Sequence, residues 1–240
     1  MDLSVVVPVY REPDNVEPLV REIADALDGR LEYEIVMVDD GSDDATPERL
    51  ASARAAFPRL RVIRHLNNSG QSAALVTGIR AARAEWVATL DGDGQNDPAD
   101  IPRMLDLRDC APPGRVPDMI AGVRRKRRDT WLRRVSSRVA NGVRARLLRD
   151  DCPDSGCGLK LFRRDVFMRL PHFNHMHRFV PALVRAAGGS VLTLDVSHRP
   201  RERGESKYGL FDRLWVGVVD LFGVMWLQRR SSAVESREED

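Results

Sequence analysis

Cysteine is scarce in this chain of 240 residues. Cys110, Cys152 and Cys157 make an odd number of thiols, and their spacing is not that of a zinc finger. This excludes a small secreted scaffold held together by disulfides, and we expect all three thiols to be reduced.

Long apolar runs are also missing. No stretch of about 18 uninterrupted apolar residues occurs, so the sequence predicts no transmembrane helix. The apolar run Leu3–Val9 is too short for a signal peptide and lacks basic flanks, and we therefore expect no export leader. The absence of internal repeats excludes solenoids and propellers. A content of 42% hydrophobic and 31% charged residues is instead typical of one large soluble globular domain.

Strands and helices alternate in the first half of the sequence. Short apolar runs predict four strands, at Leu3–Val9, Glu34–Val38, Leu60–Arg64 and Trp86–Leu90. Helical patterns follow these strands at Asp14–Leu27 with Asp14 as N-cap, from Thr46 onward, at Gly70–Ala82 and at Pro98–Leu107. This order predicts an α/β domain with a mostly parallel, twisted sheet that carries helices on both faces.

The second half of the sequence is less regular. Further strands are predicted at Pro117–Val123, Leu159–Phe162 and Ser190–Val196. Helices are predicted at Thr130–Leu148, which is rich in arginine, and near Phe179–Ala187. Because no linker divides the chain, we expect a single domain rather than two.

The C-terminal part carries an interrupted apolar stretch at Leu210–Leu227. Charged residues break it at Asp212, Arg213 and Asp220, and Arg229 and Arg230 follow it. This pattern suits either a helix that lies in a membrane interface or one that packs on the sheet. We expect residues 1–210 to form the domain, 211–230 an amphipathic helix and 231–240 a disordered polar tail.

Acidic and polar residues follow three of the predicted strands. The first strand ends at Pro8, Tyr10 and Glu12, the second at Asp39-Asp40, and the fourth at Asp91–Gln95. The carboxyl ends of parallel strands meet at one edge of a sheet, where open α/β sheets bind ligands. Each group alone is also typical of the turn that ends a strand, but the three groups together predict a nucleotide pocket. Carboxylates separated by one glycine suit Mg²⁺ or Mn²⁺ held jointly with a diphosphate.

These motifs resemble those of glycosyltransferase family 2, whose members have the GT-A fold. The resemblance covers about residues 3–210 and is carried by Ser4–Glu12, Val38–Ser42 and Asp91–Pro98. The last segment has the D-x-D-x-Q-x-x-P form of polyprenyl-phosphate glycosyltransferases, including the dolichol-phosphate mannose synthase type.

The resemblance implies a role for each strand end. Residues that would line the donor nucleotide site are Pro8, Tyr10, Glu12, Asp39, Asp40 and Gln71. Residues that would surround the metal and the donor diphosphate are Asp91, Asp93 and Gln95. The sequence departs from the family pattern at Arg11, where Asn is usual, and at Gln71, where many mannose synthases have Lys. Both departures leave the donor base and sugar open.

Positive charge is concentrated in residues 124–149, which contain eleven Arg or Lys residues against one Asp. Such a run also suits a solvated face or a nucleic acid. However, no nucleic-acid motif accompanies it and Trp131 is its only aromatic residue, so we expect no nucleic-acid partner. The resemblance implies that Arg133 and Ser137, in an R-x-x-x-S arrangement, hold the acceptor phosphate and that Arg124 or Arg125 contacts the donor phosphates. Anionic lipid headgroups would attract the remaining basic residues.

Two further segments match the family. His198–Tyr208 is similar to the R-x-G-x-S-K-Y loop of polyprenyl-phosphate sugar transferases, which implies that Arg203 and Lys207 close over phosphate oxygens as a lid. Asp154–Gly158 resembles the segment that borders the acceptor in this family. Asp154 would contact the sugar or orient a basic residue, although a plain turn is an equal alternative.

A histidine cluster offers a competing metal site. His172, His175 and His177 have H-x-x-H-x-H spacing, which is compatible with zinc. The segment lacks a fourth ligand, so we expect packing or sugar contact instead.

The resemblance implies inverting, metal-dependent transfer of a hexose from a UDP- or GDP-sugar to a polyprenyl phosphate, either undecaprenyl or dolichyl. Asp91, Asp93, Arg133 and Arg203 would be the catalytic residues, with Mg²⁺ or Mn²⁺ as cofactor. We expect the protein to lie peripherally on the cytoplasmic face of the membrane, and its oligomeric state is open.

Three alternatives stand beside this expectation. The same fold could act on a saccharide or lipid-glycan hydroxyl with Asp154 as base. A catalytically silent regulator that binds nucleotide or membrane is the second. The third, a nucleotidyltransferase, lacks the Gly-rich basic N-terminal loop that we would expect.

Overall fold

The protein is described by a computed structural model that covers residues 1–112, 114–124, 142, 146–148, 150, 152–200 and 210–230, without the side chains of 210–216. The predicted helix Thr130–Leu148 lies almost wholly outside the described residues, and the predicted tail 231–240 lies outside them entirely.

The described strands form one sheet of seven. They are β1 Leu3–Val9, β2 Tyr33–Asp39, β3 Leu60–Arg64, β4 Trp86–Thr89, β5 Met119–Arg124, β6 Lys160–Arg163 and β7 Val191–Val196. Their order across the sheet is β3-β2-β1-β4-β6-β5-β7. The first four strands pair in parallel, and β5 pairs in parallel with β7. The expectation of a mostly parallel α/β sheet is therefore confirmed.

Helices cover both faces of this sheet. The described helices, numbered in chain order, are α1 Pro13–Leu27, α2 Thr46–Ala56, α3 Gln71–Ala81, α4 Asp100–Asp109, α5 Arg164–Met168, α6 Val180–Ala186 and α7 Leu210–Arg230. Alternate residues of β1 point to opposite faces. Val5 and Val7 pack in the core under α1, α2 and α4, whereas Val6 packs in the core under α3, α5 and α6.

Strand β6 is the exception to parallel pairing. It runs antiparallel between β4 and β5, with Thr89 opposite Lys160. Its N-terminal end therefore lies at the edge where the parallel strands have their carboxyl ends. This reversal brings Asp154–Gly158, which precedes β6, to the same edge as residues Asp91–Asp97, which follow β4 and are called the acidic turn below.

Helix starts differ slightly from the sequence expectation. The prediction of Asp14 as an N-cap is wrong, because α1 begins at Pro13 with Glu12 as N-cap. Proline suits the first helical turn, since it has no N–H that would need a partner there. Helix α4 begins at Asp100 rather than Pro98, and Asp97 Oδ1 accepts a hydrogen bond from Ala99 N ahead of it. None of the helices within the described residues combines the length and apolarity needed to cross a bilayer.

Candidate active site

The acidic turn after β4 packs directly against the end of β1. Gly92 makes this approach possible, because a Cβ at this position would lie 2.6 Å from the carbonyl oxygen of Pro8. At the neighbouring strand end, Val9 pairs with Asp39. Asp39 and the Asp91–Asp93 turn therefore flank the end of β1 from its two sides.

Asp39 is a buried carboxylate with one oxygen in use. Its Oδ1 accepts a hydrogen bond of 3.0 Å from the backbone N–H of Ser42. Its Oδ2 lies 3.4 Å from Arg64 Nε but accepts no hydrogen bond from the part of the chain that the structure describes. Buried polar atoms are nearly always paired in native proteins. This oxygen thus offers an acceptor position to an N–H or O–H group of a ligand.

Asp40 is engaged differently, because both of its oxygens bind within the protein. Oδ1 lies 2.7 Å from His65 Nδ1 and accepts from Ser69 N at 2.9 Å. Oδ2 accepts from Asn68 Nδ2 at 3.0 Å and from Gly70 N at 2.7 Å. Asp40 thereby holds the loop that leads into α3, and its contribution to the donor site runs through that loop.

Arg11 has a left-handed backbone, with φ of 53°. This region is unfavourable for most side chains but is visited by Asn, which is the usual family residue here. Three polar contacts stabilise the conformation: Arg11 N donates to Ser42 Oγ at 2.9 Å, and the guanidinium donates twice to Asp43 at 2.5 Å. The guanidinium carbon also lies 5.2 Å from the centre of the Tyr10 ring.

Glu12 is buried beside Tyr10 at the start of α1. Its N–H donates to Thr46 Oγ1 at 3.0 Å, and its Oε2 accepts from Asn15 Nδ2 at 2.7 Å. These contacts tie the end of β1 to the starts of both α1 and α2.

Asp91 and Asp93 are each oriented from within their turn. Asp91 N donates to Asn96 Oδ1 at 2.9 Å, and Asp93 Oδ1 accepts from Gln95 N at 3.1 Å. Gln71 Nε2 donates to Asp91 Oδ1 at 2.8 Å. Burial, followed by the negative charge of Asp93, raises the pKa of Asp91 to about 6. Two neighbouring carboxylates, one of them buried, repel each other unless positive charge lies close to them.

A buried lysine partly offsets this repulsion, and sequence reasoning missed it. The Lys160 side chain is buried and donates a hydrogen bond to the carbonyl oxygen of Cys157. Burial lowers the pKa of Lys160, while the negative charge of Asp91 acts in the opposite direction. The signal in the sequence was a single lysine inside the apolar strand that begins at Leu159, but only the antiparallel course of β6 brings it to Asp91.

Arg124 and Asp154 form a two-pronged ion pair. Arg124 Nε and Nη2 donate to the two carboxylate oxygens of Asp154 at 2.6 and 2.7 Å, and Arg124 N adds a contact of 3.3 Å. Both side chains are largely buried, at 14% and 9% exposure. Asp154 therefore holds the Arg124 guanidinium in place.

The other predicted site residues are distributed as follows. Gln95 donates its amide nitrogen to the carbonyl oxygen of Arg199 at 3.3 Å. Outside the described residues lie Arg125, Arg133, Ser137, Arg203 and Lys207.

The donor set at the acidic turn fits a hard divalent cation. Within the described ranges, no group of three or more His, Cys, Asp or Glu side chains converges as a metal site. A cation at Asp91 and Asp93 would therefore take its remaining ligands from substrate phosphates and water, which is how proteins usually bind Mg²⁺.

The three histidines of the H-x-x-H-x-H segment do not converge. They have separate partners: His172 approaches Arg80, His175 pairs with Asp220, and His177 contacts Ser72. The zinc alternative accordingly has no support in this part of the chain.

Residues 4–170 match the profile of the family described as Glycosyl transferase family 2. The chain belongs to this family. It is therefore a glycosyltransferase, as the motifs implied.

The chain is also similar to curated proteins over most of its length. The chain is 38% identical over 237 residues to a dodecaprenyl-phosphate galacturonate synthase of Rhizobium johnstonii, covering 95% of this chain and 68% of the relative. It is 37% identical over 211 residues to an undecaprenyl-phosphate 4-deoxy-4-formamido-L-arabinose transferase of Edwardsiella ictaluri, covering 87% and 63%. The chain thus spans about two thirds of the length of the curated relatives it matches.

Solved structures confirm the GT-A fold. A glucosyl-3-phosphoglycerate synthase from Mycobacterium tuberculosis, in complex with Mn²⁺, UDP and glucosyl-3-phosphoglycerate, superimposes with a TM-score of 0.68. The alignment covers 95% of this chain and 79% of that chain at 17% identity. At this identity the likeness concerns the fold alone.

Proposed function

We propose that this family 2 glycosyltransferase transfers one sugar from a nucleoside-diphosphate donor to a polyprenyl phosphate, with inversion at the anomeric carbon. One observation carries the proposal: the Asp91–Asp93 turn and the open acceptor oxygen of Asp39 flank the end of one strand. The names of the two curated relatives, both polyprenyl-phosphate sugar transferases, support the acceptor class.

The donor nucleoside would bind at the ends of β1 and β2. Asp39 Oδ2 would accept a hydrogen bond from the base or the ribose, which would satisfy its unused acceptor position. Tyr10 would border the base, with its ring held beside the Arg11 guanidinium. Glu12 would support this edge through its contacts at the start of α1.

The donor diphosphate would lie over the acidic turn, which Gly92 allows to pack against the end of β1. Asp91 and Asp93 would hold Mg²⁺ or Mn²⁺ there, and the bound cation would neutralise the charge of the departing nucleoside diphosphate. Gln71 would keep Asp91 in place through its hydrogen bond of 2.8 Å. Arg124, aligned by Asp154, would add positive charge close to Asp91.

The acceptor phosphate needs no strong base. Its second pKa lies near 6, so its oxygen is largely ionised at neutral pH. Catalysis would therefore depend on alignment and charge stabilisation, and attack in line with the leaving diphosphate inverts the anomeric carbon. By resemblance, Arg133, Ser137, Arg203 and Lys207 would hold this phosphate.

Helix α7 supplies a surface for membrane association. One of its faces packs on the domain through the fully buried Val224. The other face exposes large apolar side chains: Val218, Val219, Phe222 and Trp226, at 38%, 54%, 64% and 61%. An apolar stripe that ends in two arginines suits the headgroup region of an anionic bilayer. We propose peripheral association of this kind, on the cytoplasmic face.

Transfer to a saccharide or lipid-glycan hydroxyl is the second candidate. It would require a carboxylate base, and Asp154 is the residue in place. Both oxygens of Asp154 are already bound by the Arg124 guanidinium, which favours the phosphate acceptor.

The proposal is tested by transfer of radiolabel from UDP- and GDP-sugars to undecaprenyl phosphate. We expect an organic-extractable product with one donor, formed with Mg²⁺ or Mn²⁺ and lost with EDTA or in Asp91→Asn. Donor turnover that is metal-dependent but yields no lipid product would refute the acceptor while leaving the donor site intact. Transfer at the same rate with EDTA as with Mg²⁺ or Mn²⁺ would refute the metal requirement.

A further inference from the structure

The segment after β7 is joined to the acidic turn by one backbone–backbone hydrogen bond and one side chain–backbone hydrogen bond. Arg199 N donates to Gln95 O at 3.0 Å, and Gln95 Nε2 donates to Arg199 O at 3.3 Å. Between them, Asn96 and His198 form an isolated antiparallel bridge. Residues Gln95–Asp97 are therefore held from outside their own loop.

The Arg199 side chain strengthens this attachment by spanning two carboxylates. Its Nη1 lies 2.8 Å from Glu22 Oε2 on α1, and its Nη2 lies 2.7 Å from Asp97 Oδ1. The guanidinium thus links three separate parts of the chain: α1, the acidic turn and the exit of β7. A flat, forked cation is suited to two such partners at once, in a way that a lysine is not.

The segment His198–Arg199 contacts Gln95, Asn96 and Asp97, and two of these residues orient the proposed metal ligands. Asn96 Oδ1 accepts the hydrogen bond from Asp91 N, and Gln95 N donates to Asp93 Oδ1. A shift of Gln95 or Asn96 would therefore move both carboxylates. Metal ligands tolerate little displacement, and groups that orient them commonly affect metal affinity by about 10- to 100-fold.

We propose that Arg199 is a positioning residue that sets the geometry of Asp91 and Asp93 for a divalent cation. This inference rests on the proposed function, since it assumes that these carboxylates bind the metal. The Arg199 guanidinium acts through Asp97, the residue next to Asn96, and does not itself touch the cation.

A purely structural ion pair would behave differently. Arg199 and Glu22 are 38% and 40% exposed. Exposed pairs contribute little to global stability. Loss of the Glu22 contact should therefore leave the folded protein almost as stable as before, and any effect on metal binding would report local geometry.

The test is a titration of the full chain with Mn²⁺, in which EPR measures the Mn²⁺ that stays free. The titration is done once in the presence of UDP and once in the presence of GDP. Arg199→Met should weaken Mn²⁺ binding about tenfold. Arg199→Lys should recover only part of that loss, because an ammonium cannot span both carboxylates. Glu22→Gln, which changes nothing in the acidic turn, should weaken binding about threefold.

Glu17→Gln is the matched control. Glu17 lies on the same helix in an exposed ion pair with Arg21, so this variant removes an equal charge without touching Arg199. We expect wild-type Mn²⁺ affinity and an unchanged melting temperature. An equal loss of Mn²⁺ affinity in Glu17→Gln and Glu22→Gln would overturn the inference, because the loss would then follow from the removal of any negative charge on α1.

The outcomes separate this inference from the proposed function. If wild type binds Mn²⁺ and Asp91→Asn does not, while both Arg199→Met and Glu22→Gln bind as wild type does, the positioning role is wrong and the metal site stands. If wild type binds no Mn²⁺ with either nucleotide, the metal site and the positioning role both fail. If Arg199→Met does not fold, Glu22→Gln alone decides.

Discussion

Gly158 lies against the carboxylate of Asp91 so closely that a Cβ on residue 158 would overlap the Oδ2 atom. The same glycine accepts a hydrogen bond at its carbonyl oxygen from Thr89 Oγ1, at 2.7 Å. Residue 158 is thus fixed to the end of β4 and cannot retreat from the aspartate without breaking that bond.

Gly158→Ala should therefore displace Asp91 and reduce transfer by about 10- to 100-fold. The measurement is the initial rate of sugar transfer, with Mn²⁺ affinity as a second reading. Gly156→Ala is the control, because a Cβ there has no neighbour nearer than Arg124 Nη2 at 3.8 Å. Similar losses in both variants would contradict the steric explanation.

Asp91→Asn should stabilise the metal-free protein while abolishing metal binding. The pKa of Asp91 is raised to about 6 by burial and by Asp93. Its unfolded value is about 3.9, so between these two values the folded state binds more protons and stability falls as pH rises. At pH 7 the charged form destabilises the fold by about 1–3 kcal/mol, which the amide would recover.

Urea unfolding without metal, at pH 4 and at pH 7, measures this effect. The gain from Asp91→Asn should be present at pH 7 and nearly absent at pH 4, where the wild-type carboxyl is already neutral. Added Mn²⁺ should stabilise the wild type only. A gain of the same size at both pH values would show that burial of charge is not its cause.

Arg124 and Asp154 should behave as a single unit. Removing Asp154 leaves the buried guanidinium misaligned, and removing Arg124 leaves Asp154 without a function. Asp154→Asn, Arg124→Met and the double variant should therefore lose transfer to a similar extent, rather than multiplying their losses. The comparison of kcat/KM in this cycle is the measurement.

The same cycle addresses the hydroxyl-acceptor alternative. If Asp154 acts as a general base, Asp154→Asn will be far more damaging than Arg124→Met, and its loss will persist at every pH.

His177 should make the protein sensitive to acid. Burial, and next the charge of Arg178, lowers the pKa of His177 to about 3. The unfolded state takes up a proton near pH 6.5 and the folded state does not, so stability falls as pH drops from about 6.5 towards 3. The slope contributed is at most about 1.4 kcal/mol per pH unit.

His177→Gln should flatten that part of the profile, because the amide has no proton to gain. Melting temperatures between pH 4 and pH 7.5 provide the measurement. The amide would also be positioned to replace the contact of 2.8 Å with Ser72 Oγ, which limits the loss at neutral pH. An unchanged slope would mean that other groups cause the acid sensitivity.

The first half of the fold was predictable because local pattern and topology agree there. The β-branched runs predicted β1 to β4 to within a residue or two, and parallel pairing placed their acidic ends at one edge. The direction of β6 was not predictable, since pairing sense depends on contacts far along the chain. Lys160 was missed for the same reason.

Side-chain roles at the site were harder to predict than its location. Asp39 and Asp40 are adjacent in sequence, yet one keeps an oxygen open while the other is wholly engaged by residues 65–70. Likewise, nothing in the spacing of Glu22, Asp97 and Arg199 indicates that they meet. Such contacts arise from packing between distant segments, which residue type alone does not encode.

Because β6 is antiparallel, the candidate site is built from two separate segments of the chain. The residues that would bind the nucleoside and the metal precede residue 98, whereas Arg124, Asp154 and Lys160 come from the later segment, which β6 brings to the same edge. Substitution of Arg124 or Asp154 would therefore change the charge beside the acidic turn while Asp39, Asp91 and Asp93 keep their own hydrogen bonds.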